Sequence, residues 1–210
     1  MNFGQMKTKV ADYLNRSDLS AIVPDFINSV IHHLEKKYNF NYMLSTTQSF
    51  SFVSGTYSYA IPTRYKSTKW FKWDDQGDLV DITKKSEEDA LRLYPDYTYD
   101  TGEPRTFSYI PATSTFLIRP TPDDSYTGYQ RCWTFSADLS ADEDTHWLLT
   151  NAWEVILYGA LKEAAPYLLG DQRLLVWTGL YKEAINELKD YELDEEVSGA
   201  DMTSEPTYPN

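Results

Sequence analysis

The chain has 210 residues, a formal net charge of −13 and a hydrophobic share of 41%, enough apolar material for one domain or one domain with a large insertion. This acidic balance argues against a protein that wraps nucleic acid, because tight phosphate binding needs clusters of Lys and Arg. No apolar run is long enough to span a membrane, and the single cysteine, Cys132, excludes an internal disulfide. We therefore expect a soluble protein made in a cytosol, with no membrane partner.

Two amphipathic helices are predicted in residues 1–43. Apolar side chains recur at three- and four-residue spacing from Phe3 to Leu14 and again from Val23 to Tyr38. This spacing places them on one face of each helix.

From residue 44 the apolar period changes to two, which predicts an antiparallel β region over residues 44–139. Residues 48–52 and 57–61 both alternate, and Gly55 lies between them, so we expect a hairpin there. Further strand candidates lie at residues 107–109, 116–118 and 129–135, with residues 111–114 as the turn between the first two.

The stretch WDDQGDLVD, residues 73–81, places four aspartates beside Gly77. Its spacing does not fit an EF-hand loop, and a β-turn between two strands explains the same residues. Next, SEEDALRLY predicts a short helix near residues 86–94, with Ser86 as its cap. A loop rich in tyrosine follows over residues 94–104.

Three lysines, Lys66, Lys69 and Lys72, interleave with aromatic residues between Tyr65 and Trp73. Such interleaving also occurs in platforms on which nucleic-acid bases stack. Because the surrounding charge is acidic and aromatic strands usually pack in a core, we favour a core strand.

A helical hairpin is predicted over residues 140–192. Ser140 with Glu143 forms a candidate capping box and Asn151 a second cap, while Asp171 is placed to cap the following helix. Residues 193–210 are acidic and polar, and we expect them to form a flexible tail. The predicted fold is α+β: a helical bundle of two N-terminal and two C-terminal helices, an inserted antiparallel β region, and a flexible acidic C-terminal tail.

No motif for catalysis, metal binding or cofactor binding is present in the sequence. The adjacent His32 and His33 would point about 100° apart on a helix, which does not suit one metal ion. We expect no enzyme, no metal and no cofactor, although an active site assembled from distant residues would leave no local motif.

A succession of segments nevertheless resembles a known family. In chain order these are Tyr59-Ala-Ile-Pro62, Gly102-x-Pro104, an apolar strand ending in Pro120-Thr-Pro122-Asp123, and a helix with Leu157-Tyr158-x-Ala160-Leu161-x-Glu163-Ala164. Over about residues 10–190, this order resembles the head-to-tail adaptor (connector or neck) proteins of tailed bacteriophages.

The resemblance implies a structural virion protein without a catalytic site. Such adaptors form a homo-oligomeric ring, commonly of twelve copies, under the portal protein in the neck of the particle, and they are made in the host cytoplasm. The ring extends the DNA channel, docks tail or nozzle proteins, and lets double-stranded DNA pass during ejection without sequence-specific binding. A net-negative lining would repel DNA and let it slide.

Two segments supply candidate partner-binding residues. The loop contributes Tyr94, Tyr97 and Tyr99, and the C-terminal segment contributes Tyr191, Glu195, Glu196, Met202 and Tyr208. An alternative function is a stand-alone carbohydrate- or peptide-binding module that uses the aromatic β region, including the loop tyrosines.

Overall fold

The computed structural model describes residues 1–168 and 171–197, which form an α+β fold. The helices are α1 (Phe3–Leu14), α2 (Val23–Lys37), α3 (Glu87–Leu93), α4 (Trp147–Asn151), α5 (Trp153–Glu163) and α6 (Arg173–Val197). The strands are β1 (Gln48–Phe52), β2 (Ser58–Ala60), β3 (Tyr65–Asp75), β4 (Asp78–Asp81), β5 (Thr83–Lys84), β6 (Thr101–Gly102), β7 (Thr106–Ile110), β8 (Thr115–Arg119), β9 (Thr121–Pro122) and β10 (Tyr126–Thr134).

The chain divides into two compact units. A helical unit contains Met1–Tyr42 and the chain from Ala137 onward, and a β unit contains Met43–Ser136. The β unit is therefore an insertion between the N-terminal and C-terminal helices.

In the helical unit, α1, α2 and α6 all pack against α5. Helix α5 is apolar nearly all round, with its residues from Val155 to Leu157 and from Gly159 to Leu161 buried, as expected of a helix surrounded by others. Gly159 permits the closest approach, because a Cβ there would lie 2.6 Å from Val30 Cγ1 and 2.9 Å from Tyr181 Cε2. The apolar stripes predicted for α1 and α2 form the rest of this core.

The capping box predicted at Ser140 does not form. Asp144 instead accepts the backbone N–H groups of Ser140 and Ala141, at 2.7 and 2.8 Å, and these donors hold its pKa below the ordinary value for aspartate. Residues 140–146 are not helical, and α4 begins only at Trp147. The capping box does not form because the Asp144 carboxylate accepts the Ser140 N–H, which the Glu143 side chain would accept in a capping box.

The start of helix α6 agrees with the sequence prediction, but its end does not. Asp171 accepts the backbone N–H of Arg173 at 2.9 Å, as predicted for a cap. The helix then continues to Val197, so residues 193–197, which the sequence suggested were tail, are helical. Glu is a good helix former, which accounts for the added turn. Residues 198–210, including Met202 and Tyr208, lie outside the described residues.

The β unit is a sandwich of two four-stranded sheets. The first sheet has the order β1-β10-β3-β4 and is antiparallel throughout, while the second has the order β2-β8-β7-β5. Their inner faces share one aromatic core. In it, the ring centre of Phe71 of the first sheet lies 5.4 Å from that of Phe107 and 5.9 Å from that of Phe116 of the second sheet. Two short pairings, β5 with β7 and β6 with β9, are parallel.

The predicted hairpin between residues 48–52 and 57–61 is wrong in its pairing. Both segments contain strands, but β1 pairs with β10 and β2 pairs with β8, in different sheets. The hydroxyl group of Tyr59 takes the place of hairpin hydrogen bonds, because it accepts the Val53 N–H at 2.9 Å and donates to the Thr56 carbonyl at 2.8 Å. The connection therefore crosses from one sheet to the other.

Two other local predictions are confirmed. The stretch 73–81 forms a tight turn between β3 and β4, with Gln76 and Gly77 at φ of 53° and 106°, as a two-residue hairpin loop requires. Ser86 caps α3 by accepting the Asp89 N–H at 3.1 Å.

Candidate partner-binding surfaces

The tyrosine-rich loop that follows α3 is held in one shape by its own aspartates. Asp96 accepts the backbone N–H groups of Thr98 and Tyr99 at 2.7 and 3.1 Å, and its own N–H donates to the Asp100 carboxylate at 2.8 Å. Thr121 anchors the loop from outside, donating its hydroxyl to the Tyr97 carbonyl at 2.8 Å. The loop is thus a structured surface feature rather than a loose connection.

Arg119, at the end of β8, organises two of the three predicted loop tyrosines. Arg119 is only 2% exposed, and its Nη1 donates a hydrogen bond to the Tyr94 carbonyl at 3.2 Å. Its guanidinium lies 4.3 Å from the centre of the Tyr97 ring, a cation–π contact that is strong when desolvated. The Tyr97 ring also stacks on Tyr57, with the ring centres 4.6 Å apart.

Tyr99 is the loop residue most available to a partner. It is 84% exposed, against 44% for Tyr97, while Tyr94 is half-buried. An exposed tyrosine on a structured loop resembles the aromatic anchors of protein interfaces, which lose little side-chain entropy on binding.

The C-terminal candidates lie on or beyond α6, in the helical unit. Tyr191 is half-exposed and borders a cavity of ≈ 220 Å³ together with Asn151, Glu154 and Leu188. Glu195 and Glu196 lie on the last helical turn. The loop tyrosines belong to the β unit, so the predicted residues do not form one site within either unit.

A nucleic-acid stacking platform around Lys66, Lys69 and Lys72, the interpretation that the sequence disfavours, lacks most of the exposed rings it would need, because three of the four interleaved rings are buried. The rings of Tyr65, Phe71 and Trp73 are buried in the sandwich core, and Lys72 pairs with Asp81 at 3.2 Å. The favoured interpretation of this segment as a core strand is confirmed.

Asp123 of the segment Pro120-Thr-Pro122-Asp123 is a turn residue rather than a reactive one. The Tyr126 hydroxyl donates to the Asp123 carboxylate at 2.5 Å. This hydrogen bond to the carboxylate, together with desolvation, raises the pKa of Tyr126 to about 12. Residues 119–122 before it are buried, and Thr121 and Pro122 among them form β9, which pairs with β6.

Sequence reasoning missed a buried pair in the helical unit. Glu35 has no exposed surface, and its Oε1 lies 3.3 Å from Nε2 of His146. The two residues are far apart in sequence, and neither belongs to a local motif, so no pattern could have joined them. Arg119 was also missed, although a charged residue closing the apolar strand Phe-Leu-Ile-Arg was a visible signal.

Metal and membrane sites receive no support from the described residues. Among residues 1–168 and 171–197, no group of three or more His, Cys, Asp or Glu side chains could hold a metal ion. Over the same ranges, the helices are too short or too polar to cross a membrane. Cys132 is fully buried in the sandwich.

Comparison with known proteins adds the family. A family model described as SU10 adaptor protein matches residues 1–205, which includes both the helical unit and the β unit. No curated protein matches the chain. Because the family match covers nearly the whole chain, the protein belongs to the SU10 adaptor proteins, a family of phage head-to-tail adaptors.

Proposed function

We propose that this virion protein forms a ring under the portal in the neck of the phage particle, extends the DNA channel and docks the tail. The observation that carries the proposal is the family match over residues 1–205. It spans both structural units, so the helices and the inserted sandwich are parts of one adaptor. The family is a structural family rather than an enzyme family.

The ring we propose has twelve copies, with the four long helices α1, α2, α5 and α6 as the bundle of each subunit. The net charge of −13 per chain supports a channel that repels DNA phosphates and so does not retain the passing duplex. DNA would pass without sequence-specific contacts.

Two surfaces are proposed for the partners on either side of the ring. The end of α6 and the acidic segment after it, with Tyr191, Glu195, Glu196, Met202 and Tyr208, would contact the portal. The loop carrying Tyr94, Tyr97 and Tyr99 would contact tail or nozzle proteins, with Tyr99 as the anchor because its ring is already exposed.

Negative-stain electron microscopy of the full chain mixed with purified portal rings tests this function. We expect an added ring of density on one face of the portal. Isolated subunits need not assemble, because a template can supply the contacts that make the ring stable. Portal rings that stay bare at concentrations well above those of the subunits in an infected cell would contradict the proposal.

Removing residues 198–210 tests the assignment of the C-terminal segment. This truncation leaves α6 intact, since the helix ends at Val197. We expect weaker binding to portal rings and an unchanged thermal unfolding temperature. Unchanged portal binding would show that residues 198–210, with Met202 and Tyr208, are not part of the docking surface.

The alternative, a carbohydrate- or peptide-binding module, is favoured by one observation. Tyr57, Tyr97 and Tyr99 present partly or largely exposed rings on the β unit, and exposed aromatic rings provide stacking surfaces. Glycan-array binding that is lost in Tyr99→Ala would support this alternative, and the absence of any glycan or peptide binding would leave the adaptor function.

A further inference from the structure

The sandwich of the β unit has two unlike pairs of sheet edges. In the first sheet β1 and β4 are the edge strands, and in the second sheet β2 and β5 are. Strands β1 and β2 follow each other in the chain, as do β4 and β5. Each sheet therefore has one edge strand from the pair β1 and β2 and one from the pair β4 and β5.

Charge separates the two kinds of edge. From Tyr38 to Thr63, the stretch that contains β1 and β2, the sequence has no Asp, Glu, Lys, Arg or His. By contrast, β4 begins and ends with Asp78 and Asp81, and β5 contains Lys84. The uncharged stretch is notable because charged residues make up 24% of the chain.

An uncharged edge strand is unusual in a protein that must remain a monomer. Soluble proteins protect their edge strands with charged residues, proline or covering segments, because the unpaired backbone groups invite another strand. Strand β1 has none of these charges and no proline, and Ser49 and Ser51 are exposed. Within the described residues, no hydrogen bond joins the outer backbone groups of β1 to another segment.

We propose that β1 of one copy pairs with β4 of the next copy, so that the first sheet continues from subunit to subunit around the ring. This inference rests on the proposed function and names the contact that would build the ring. The pairing joins two different surfaces, and repeated contacts of that kind close into a ring when the rotation between copies allows it.

Strand direction agrees with this pairing. The four strands of the first sheet alternate in direction, so β1 and β4 run oppositely. A copy related by rotation about an axis along the strands keeps these directions. Its β4 would then lie antiparallel to β1, the same arrangement found throughout this sheet.

Charge argues against the pairing of β4 with another β4. Two β4 edges would bring Asp78 and Asp81 of each copy together, and like charges on adjacent strands destabilise the pair. A neutral β1 edge beside an acidic β4 edge avoids this repulsion. Asp81 keeps its local partner, because Lys72 pairs with it within the same sheet.

Introducing a negative or a positive charge at Ser51 tests which edge strand is the partner of β1. Ser51 is exposed and Phe52 next to it points into the core, so a charged residue at 51 should not disturb the fold. If β4 faces β1, Ser51→Asp should weaken each contact about two- to five-fold by repulsion from the neighbouring aspartates, and Ser51→Lys should leave it unchanged or strengthen it. Thr113→Asp, in the exposed turn between β7 and β8, is the matched control.

Ring formation by the parent protein and by these three variants is measured on portal rings by electron microscopy and in solution by analytical ultracentrifugation. Weakening by both Asp and Lys at position 51 would indicate that β1 pairs with another β1, which overturns the proposal. Rings that form equally well with all variants would overturn it too, while leaving the proposed ring function intact.

Crosslinking identifies the pair directly. Ser51→Cys and Leu79→Cys place thiols on exposed positions of β1 and β4, whereas the native Cys132 is fully buried. With a short bismaleimide and portal rings present, the double variant should give a ladder of dimers, trimers and larger species, and each single variant should give none. Dimers from Ser51→Cys alone, or no crosslinks from the double variant, would overturn the pairing. Crosslinked ladders without rings on the portal would instead support the pairing and count against the ring.

Discussion

Glu35 is the most completely buried acidic side chain among the described residues, and the side chain of His146 contacts its carboxyl group. Nδ1 of His146 accepts the Leu148 N–H at 3.1 Å, which caps α4. A neutral imidazole that accepts at Nδ1 carries its proton on Nε2, and Nε2 faces Glu35 at 3.3 Å. One side chain thus starts a helix and satisfies a buried carboxyl group.

Replacing His146 should therefore be costly. We expect His146→Ala to lower the free energy of unfolding by about 2–4 kcal/mol, since it removes a helix cap and a hydrogen bond to a buried carboxyl group. His146→Asn should recover about 1 kcal/mol, because Asn is a good cap but does not reach Glu35. Urea unfolding followed by circular dichroism measures these differences.

His32 provides the matched control, because it pairs with Asp138 at 2.8 Å on the surface of the same unit. His32→Ala should change the free energy of unfolding by less than about 1 kcal/mol, as is usual for exposed pairs. Equal effects at His32 and His146 would contradict the structural role assigned to His146.

Tyr126 gives a prediction for alkaline pH. Its pKa of about 12 lies above the ordinary 10.0 of tyrosine, because the protonated hydroxyl donates a hydrogen bond to Asp123, because the hydroxyl is partly desolvated, and because ionisation would place a second negative charge beside that carboxylate. A pKa raised in the folded state contributes stability that is fully present below about pH 10 and is lost as the pH rises toward about 12.

Spectroscopic titration of tyrosinate checks this assignment. Asp123→Asn removes the carboxylate, so we expect one tyrosine to ionise at lower pH than in the parent protein. The stability that depends on this contact should then be lost at lower pH as well. Identical titration curves for the two proteins would show that the Asp123 hydrogen bond does not control Tyr126.

At the scale of helices, two glycines allow a test of packing with one substitution. Gly159 lies where α5 meets α2 and α6, and a Cβ would approach Val30 to 2.6 Å. Gly179 lies within α6, and a Cβ there would have no atom within 4 Å. The same Gly→Ala change therefore meets a packed contact at one position and open space at the other.

The two substitutions should change stability in opposite directions. Gly159→Ala should destabilise the protein by about 1–3 kcal/mol through overpacking, and Gly179→Ala should stabilise it by about 0.5–1 kcal/mol through helix propensity. Thermal and urea unfolding of both variants measure the difference. Stabilisation by both would mean that α5 does not pack as closely as this contact requires.

The elements of this protein were predictable where one segment decides its own structure. The spacing of Phe3, Met6, Val10 and Leu14 located α1, and Ser86 located the start of α3. Pairing was not predictable, because Gln48 of β1 pairs with Gln130 of β10 rather than with the adjacent segment. Alternation shows which face of a strand is buried, but it does not name the neighbouring strand.

The candidate surface shows the same limit. Composition located the loop that carries Tyr94, Tyr97 and Tyr99, but it did not distinguish their exposures. That distinction comes from Arg119, at the end of β8. Its guanidinium packs over the Tyr97 ring, whereas the Tyr99 ring stays exposed to solvent. The contact depends on tertiary structure, so no local pattern carries it.

For the whole molecule, net charge governs how copies approach one another. Each chain carries a formal −13, so subunits repel at long range even though the proposed β1 edge is neutral. Raising sodium chloride from about 0.05 M to about 0.5 M shortens the screening length from about 14 Å to about 4 Å. Hydrogen bonds between strands change little over that range, so screening of the net repulsion should dominate the effect of salt.

We therefore expect ring formation to improve with added salt, by several-fold in the subunit concentration needed for half-assembly. Counting completed rings on portal rings by electron microscopy, over a series of sodium chloride and subunit concentrations, measures this, and chloride is preferable to sulfate because sulfate also strengthens apolar burial. Ser51→Asp adds one more negative charge at the proposed contact, so its assembly should gain more from salt than that of Thr113→Asp. Assembly that weakens as salt rises would mean that attraction between opposite charges, rather than a neutral edge, holds the copies together.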